Sequence, residues 1–274
     1  MPEIVASTTK SASSPEVPMQ RLTPSQQRGL SMIELLIAMA ISSFLILGIT
    51  QIFIDNKRNY IYQQNQSANQ EGSRFSLILL EQQLYKAGYR RTPQDARDFI
   101  FPAAGATNGC MAFAAGQVIR PTTNGQGICM RYQRATNSER DCQGNTITSD
   151  TPVTIKIERT TAGQLQCAVR SGTGTFSAAA TLLENVSQIQ FEYGIDSQGA
   201  DRVADAYVTY NNVPSLSDVI AVRYATLLES TSTNVALSND SYYFPLSSTT
   251  ATTPSDSRLY RSVQGTTTLR NIAP

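Results

Sequence analysis

The sequence predicts an α+β fold in which a long N-terminal helix packs on the antiparallel β-sheet of a globular head. Three observations support this prediction: an unbroken apolar run over 30–54, a second stretch with helical periodicity over 74–88, and an alternation of apolar and polar residues that begins after Pro93. The first half of the helix is expected to be transmembrane and the second half amphipathic. At 274 residues, the chain is long enough to bury a sizeable core.

The apolar run over 30–54 is the strongest single feature of the chain. It contains one charge, Glu34, and as a helix it is about 37 Å long, enough to cross a bilayer. A secretory signal peptide does not fit, because its apolar region runs only about 7–15 residues and a small-residue cleavage site follows it. A plain single-pass anchor explains the whole run except Glu34. Residues 1–28, rich in Ser, Thr, Pro and Gln, are typical of a disordered segment.

The helix is expected to continue beyond the apolar run. No proline occurs between Pro24 and Pro93, so nothing interrupts the helical hydrogen bonds through the polar stretch at 55–72. The following stretch, 74–88, has the period of a helix with one apolar face. The apolar residues at helical spacing are Phe75, Leu77, Ile78, Leu79, Leu80 and Leu84.

Gly88 occupies the position of a left-handed C-terminal cap, so the helix is expected to end there. The predicted organisation is therefore a leader over 1–29, a transmembrane helix over 30–54, an amphipathic continuation over 55–90, and a β-rich head over 91–274.

The head is predicted to be an antiparallel sheet, because strand patterns follow one another without a strong helical pattern between them. The clearest element is a hairpin whose strands alternate around a turn at 160–163. Its inward residues are Val153, Ile155, Ile157, Leu165, Cys167 and Val169. Further strands are expected at about 128–134, 186–194 and 218–228. No element is predicted for the Thr- and Ser-rich tail at 245–274.

Composition argues against several functional classes. The formal net charge is +1, so nothing favours binding to nucleic acid. Histidine is absent, which removes the commonest general base and the commonest metal ligand. Neither G-x-S-x-G nor H-E-x-x-H occurs, and no catalytic residue is predicted. The four cysteines, Cys110, Cys129, Cys142 and Cys167, contain no C-x-x-C pair, which favours two disulfides in an oxidising compartment over a metal site or free thiols.

Glu34 is the residue of the apolar run that needs an explanation. A carboxylate at the centre of a bilayer costs about 2.5–3.5 kcal/mol. Lying near the start of the run, it could extend toward the headgroups as an interfacial residue. Alternatively, it needs a positive partner inside the membrane.

The segment RGLSMIELLIA over 28–38 resembles the processing site of type IV prepilins and type II secretion pseudopilins. The resemblance implies that prepilin peptidase, in the inner membrane, cuts after Gly29 and that the new terminus at Leu30 is methylated. Glu34 then lies five residues into the mature chain, where it can pair with the amino terminus of a neighbouring subunit and fix the axial register. Leu30 departs from the Phe that is usual in this family.

Downstream segments resemble PilW-type minor pilins, which are similar to the J-type minor pseudopilins of type II secretion. The resembling segments lie at 72–75, 84–90, 191–196, 204–207, 219–224 and 268–271. The resemblance implies a low-abundance subunit that initiates pilus assembly at the tip. Its implied partners are prepilin peptidase, other minor pilins, the major pilin and the inner-membrane assembly platform. The implied location is a single pass through the inner membrane with a periplasmic head, and then the pilus surface.

Several alternatives remain open at this point. A major fibre subunit and a type II secretion pseudopilin share the same N-terminal chemistry. A membrane-anchored periplasmic enzyme and a receptor ectodomain belong to different classes, and the receptor predicts no cleavage after Gly29.

Two further expectations concern the head. Four cysteines allow three pairings. Because PilW-type proteins resemble this chain at Cys142 and Cys167, and the chain doubles back between those positions, we expect Cys142–Cys167 and Cys110–Cys129. Separately, DSQGADRVAD carries three aspartates, Asp196, Asp201 and Asp205, which could supply oxygens to calcium. The alternative is that they are solvated turn residues, and no other cofactor is expected.

Overall fold

The structure is a computed structural model that describes residues 29–197, 201, 203–213, 219–236, 238 and 240–272. It divides into two units, Met1–Phe53 and Ile54–Pro274. The leader, apart from Gly29, lies outside the described residues.

Helix α1 spans Met32–Lys86 and contributes residues to both units. It begins where Ser31 O accepts hydrogen bonds from the amides of Glu34 and Leu35, at 3.0 and 3.1 Å. It ends just before Gly88, whose φ of +78° is the left-handed conformation that glycine adopts without strain. The amide of Gly88 donates to Arg131 O at 2.8 Å, which ties the helix end to the head.

The first sheet of the head is a five-stranded antiparallel meander preceded by a short helix, α2, at Arg97–Ile100. Each strand pairs with its neighbours in chain order. The strands are β1 (Ile119–Pro121), β2 (Gly127–Tyr132), β3 (Val153–Arg159), β4 (Leu165–Ser171) and β5 (Ala180–Leu183).

The second sheet contains four antiparallel strands in the order β11-β8-β6-β7. A two-stranded ribbon of β9 and β10 accompanies it, and short 3₁₀ turns occur at Tyr210–Asn212 and Arg270–Ile272. The strands are β6 (Val186–Ile195), β7 (Ala206–Val208), β8 (Val219–Glu229), β9 (Tyr242–Tyr243), β10 (Ala251–Thr252) and β11 (Tyr260–Thr268).

These sheets confirm the predicted α+β class, the antiparallel pairing and the hairpin of β3 and β4. Two details differ. The head has two sheets rather than one. The tail at 245–274, for which no element was predicted, contains β11, which pairs with β8 over nine residues. Its sequence, YRSVQGTTT, contains little apolar alternation because only Thr267 of this edge strand is buried.

The buried face of α1 agrees with the predicted one only in part. Phe75 and Ile78 were expected to face the head, but they are 45% and 42% exposed. The buried residues of the helix are Asn65, Asn69, Ser73, Ser76, Leu80, Gln83 and Leu84.

Small side chains determine this face, because they allow the helix to approach the second sheet closely. A Cβ on Gly72 would lie 2.6 Å from Cδ2 of Leu228. The Tyr224 hydroxyl of β8 reaches the helix backbone and donates to Leu77 O at 3.3 Å. Leu80 and Leu84, both fully buried, were correctly predicted and join the core that the two sheets share.

Candidate functional site

The N-terminal unit places the predicted processing residues in an accessible segment. Gly29 and Leu30 precede the helix, and Leu30 is 73% exposed. Among the described residues, and apart from its chain neighbour, no atom lies within 4 Å of the position that a Cβ on Gly29 would take. Arg28 lies outside the described residues. The described part of the junction is therefore exposed and lies outside regular secondary structure.

Glu34 lies in the first turn of α1, and its side chain is exposed. Within the part of the chain that the structure describes, Glu34 forms no salt bridge. A carboxylate at a helix N-terminus is favoured by the helix dipole, at about 0.3–1 kcal/mol. This stabilisation is smaller than the free-energy penalty for a carboxylate in hydrocarbon. A positively charged partner or a polar surface must therefore supply the remaining stabilisation of Glu34.

The side chains around Glu34 are exposed throughout residues 30–53, and most of them are apolar. Helix α1 is long and apolar enough to cross a membrane by length and composition. Burying one large aliphatic or aromatic side chain contributes about 1.5–3 kcal/mol, so this surface is suited to lipid or to other apolar helices. The exposed set is Leu30, Met32, Ile33, Leu35, Leu36, Ile37, Met39, Ile41, Phe44, Leu45, Ile46, Leu47, Ile49, Ile52 and Phe53.

Both disulfides are present in the head with the expected pairing. Cys110 joins Cys129 with Cα atoms 5.9 Å apart, and Cys142 joins Cys167 with Cα atoms 6.3 Å apart. The first disulfide holds the loop at 101–118 against β2, and the second holds the 133–152 connection against β4. Both loops are therefore attached to the first sheet by covalent bonds.

The outer face of the first sheet, which sequence reasoning missed, carries four buried cations, of which Arg131 lies directly beneath the 101–118 loop. They alternate along the strands with residues that face the core, as Arg131 does with Met130 and Tyr132. This alternation of charged and apolar residues is the signal that could have revealed the face. The buried cations are Arg120, Arg131, Lys156 and Arg170.

Arg131 binds the 101–118 loop through backbone carbonyls. Its guanidinium donates to Gln117 O, to Pro102 O at 2.6 Å, and to Phe101 O at 3.3 Å. It also lies 4.4 Å from the centroid of the Phe113 ring. Burial lowers the pKa of Arg131 to about 10, and nearby Arg170 contributes in the same direction. The group therefore stays charged at neutral pH and supplies charged donors to carbonyls that have lost water.

We expect Arg131→Met to destabilise the head by about 2–4 kcal/mol, because it leaves buried carbonyl oxygens without donors. Urea unfolding of the detergent-solubilised full chain would measure this loss. Arg261→Met is the matched control, since Arg261 is exposed on β11 and its loss should cost less than about 0.5 kcal/mol. Equal midpoints for the two variants would show that Arg131 does not hold the loop.

Two of the three aspartates proposed for calcium accept hydrogen bonds from local backbone amides. Asp205 Oδ2 accepts from the amide of Ser197 at 2.7 Å, and Asp201 Oδ1 accepts from the amide of Val203 at 2.9 Å. Among the described residues, no group of three or more His, Cys, Asp or Glu side chains is placed to hold a metal ion. Asp196, Asp201 and Asp205 are thus not brought together as a site. Gly199 lies outside the described residues.

Comparisons with known families match both ends of the chain. The model of the prokaryotic N-terminal methylation motif matches residues 24–50. The model of type IV pilus-assembly protein W matches residues 154–271. The second match runs from β3 to the last 3₁₀ turn, and the outer-face cation Arg131 lies outside it.

The chain is also similar in structure to a type IV-like pilin from Thermus thermophilus. The two share 16% identity with a TM-score of 0.43, and the alignment covers 74% of this chain and 98% of the other. Similarity at this level carries no functional argument. No curated protein sequence is significantly similar to this chain.

Proposed function

Because the chain belongs to the type IV prepilin family as a PilW-type minor pilin, we propose that prepilin peptidase cuts it after Gly29. Leu30 is then methylated, and the mature protein helps to initiate pilus assembly at the tip. Its partners in this proposal are the peptidase, other minor pilins, the major pilin and the inner-membrane assembly platform. Before assembly the chain spans the inner membrane once, with its head in the periplasm.

The observation that carries this proposal is the single carboxylate of Glu34 in an otherwise apolar, exposed helical surface. Cleavage after Gly29 creates a free α-amino group, whose unperturbed pKa is about 7.7–8.0. In the low dielectric of the membrane, an amino group of one subunit and a carboxylate of the next attract strongly, whereas an unpaired carboxylate is penalised. Glu34 therefore selects one axial register while apolar contacts between helices drive association.

The proposed position at the tip follows from the head. Ile54–Pro274 forms one compact unit of two sheets with the second half of the helix. A large head is difficult to repeat between close-packed neighbours around a shaft. At an end, one side of the head meets no incoming subunit, and the size of the head has no steric consequence there.

We expect Glu34→Ala to lower incorporation into fibres by about tenfold or more, because the neighbour's amino group then lacks its partner in the membrane. Immunoblots of sheared fibres, normalised to the amount in membranes, measure incorporation. Ser43→Ala is the matched control, because Ser43 Oγ already donates within its own helix, to Met39 O at 2.8 Å. Equal incorporation of both variants would instead support an interfacial role for Glu34.

A further inference from the structure

Among the described residues, strand β7 pairs with only one end of β6, and no strand pairs with the rest of that edge. β7 pairs with Tyr193, Gly194 and Ile195. The preceding residues of β6, 187–191, line a groove of about 400 Å³, which we term the edge groove. Its other lining residues are Gly125, Gln126, Arg159, Thr209, Tyr210 and Phe244.

The backbone of this edge is suited to bind an extended peptide. On its other side β6 pairs with β8 over 188–191, from Gln188 opposite Leu227 to Phe191 opposite Tyr224. Alternate residues of a strand direct their N–H and C=O groups to opposite sides. Half of the groups at 187–191 therefore point into the groove, where no strand among the described residues pairs with them. An edge with unpaired groups is a template for another strand.

The wall opposite the edge is built into the fold. The Tyr210 ring lies against Gly125, and a Cβ on that glycine would come within 2.4 Å of two ring atoms. Gly125 also has a φ of +70°, which favours glycine. The turn before β2 thus provides a surface without a side chain on which the ring is seated. A groove with a fixed wall needs little ordering when a ligand binds.

The charge of the lining indicates the chemistry of the occupant. Arg159 is the only charged residue among the lining residues, and none of them carries a carboxylate. Its guanidinium is held at the end of β6, donating from Nε to Val186 O at 2.7 Å and from Nη1 to Gln126 Oε1 at 3.2 Å. Tyr210 and Phe244 supply apolar surface. The groove therefore suits an extended segment with a carboxylate near one end and apolar side chains facing inward.

We propose that the edge groove binds an extended, acidic segment of another pilin subunit, which adds to the second sheet as a strand beside β6. Five residues of edge correspond to about 16 Å of extended chain, enough for a short strand with specificity from its alternate side chains. This inference rests on the proposed function, because in a pilus the head of this protein contacts other pilin subunits.

A photo-crosslinking amino acid at Thr209 in the full-length protein, in cells that form pili, tests the proposal. Thr266 is the matched control, an exposed threonine on β11, the edge strand at the other side of the same sheet. We expect a covalent adduct with a different pilin subunit from Thr209 and at least about fivefold less from Thr266. Peptide mapping should place the adduct in an acidic, extended segment. An adduct from Thr266 alone, an adduct with a second copy of this chain, or no adduct would overturn the proposal.

A charge reversal at the rim separates this proposal from the proposed function. Thr209→Glu places a carboxylate beside the acidic segment and should lower binding about fivefold, whereas Thr209→Lys and Thr266→Glu should not. Binding is measured by co-purification of the partner subunit from detergent-solubilised membranes. If deleting the chain left fibre number unchanged, the proposed function would fail even if a partner segment crosslinked at Thr209. If deletion abolished fibres but no partner crosslinked at Thr209, the edge groove alone would fail.

Discussion

Cells that carry Gly29→Leu are expected to contain this protein at its full mass of 29.9 kDa, with residues 1–29 still attached. The protein itself tolerates a larger residue here, because nothing lies within 4 Å of the Cβ position. We therefore expect cleavage to be blocked in the peptidase, because its active site must accept the residue that precedes the cut. Gly29→Ala adds only one methyl group, and we expect it to be processed in part.

Gly48→Leu is the matched control, since Gly48 lies in the same unit and also has open space around its Cβ position. Intact mass of protein recovered from membranes gives the result directly. The wild type and Gly48→Leu should lack residues 1–29 and carry a methyl group on Leu30. Normal processing of Gly29→Leu, or full-length wild-type protein in mature fibres, would refute cleavage at this position.

The uncut variant should also fail to enter fibres, even though Glu34 is intact. Without cleavage, Leu30 has an amide in place of a charged amino group, so it offers no cation to the carboxylate of its neighbour. The attached leader is polar, and moving it into a helix bundle would cost free energy for each unpaired polar group. The Gly29 and Glu34 variants thus remove the two partners of the same proposed ion pair.

Elements with a simple physical signal could be predicted from the sequence. The apolar run at 30–54 needs only length and hydropathy, and the hairpin of β3 and β4 needs only alternation around a turn. Gly88 was recognisable because its position after the last apolar turn of a helix calls for φ above zero.

Part of the buried face of α1 could not be predicted from apolar periodicity, because packing there involves small and polar residues. Ser73 and Ser76 are buried and Gly72 lies against Leu228, yet these small residues have little apolar surface and give no hydrophobic signal. Phe75 and Ile78 gave the stronger signal and were assigned wrongly. Their exposed side chains lie on the side of the helix away from the sheet.

The outer face of the first sheet was missed for a related reason. A buried arginine normally implies an acidic partner that can be sought in the sequence. Arg131 is instead bound by carbonyls of Phe101, Pro102 and Gln117, which any residue could provide. Backbone ligands have no sequence signature, so only the fold reveals them. The edge groove could not be predicted for the same reason, because the groups proposed to bind a partner there are backbone atoms of β6.

Deleting this protein should reduce the number of surface pili by about tenfold or more, while the major subunit still accumulates in the inner membrane. The first contact between two subunits in a membrane is the costly step, because the Glu34 carboxylate of each subunit is unpaired until a neighbour arrives. An unpaired carboxylate at the bilayer centre costs about 2.5–3.5 kcal/mol. A small complex of minor pilins formed in advance would provide the first amino termini, so that later subunits add to an existing site. Its heads, unlike those of shaft subunits, need not fit between repeated neighbours.

Counting fibres by electron microscopy, together with immunoblots of the major subunit in membranes and in sheared fractions, measures the effect. Wild-type protein supplied in trans should restore fibre number, and Glu34→Ala supplied at the same level should restore it poorly, since its helix cannot present the carboxylate to a neighbouring amino group. Ser43→Ala should restore it fully. If fibre number were normal in the deletion and only adhesion were lost, initiation would be excluded and a role as a tip adhesin would replace it, because a subunit that only binds a surface has no influence on nucleation.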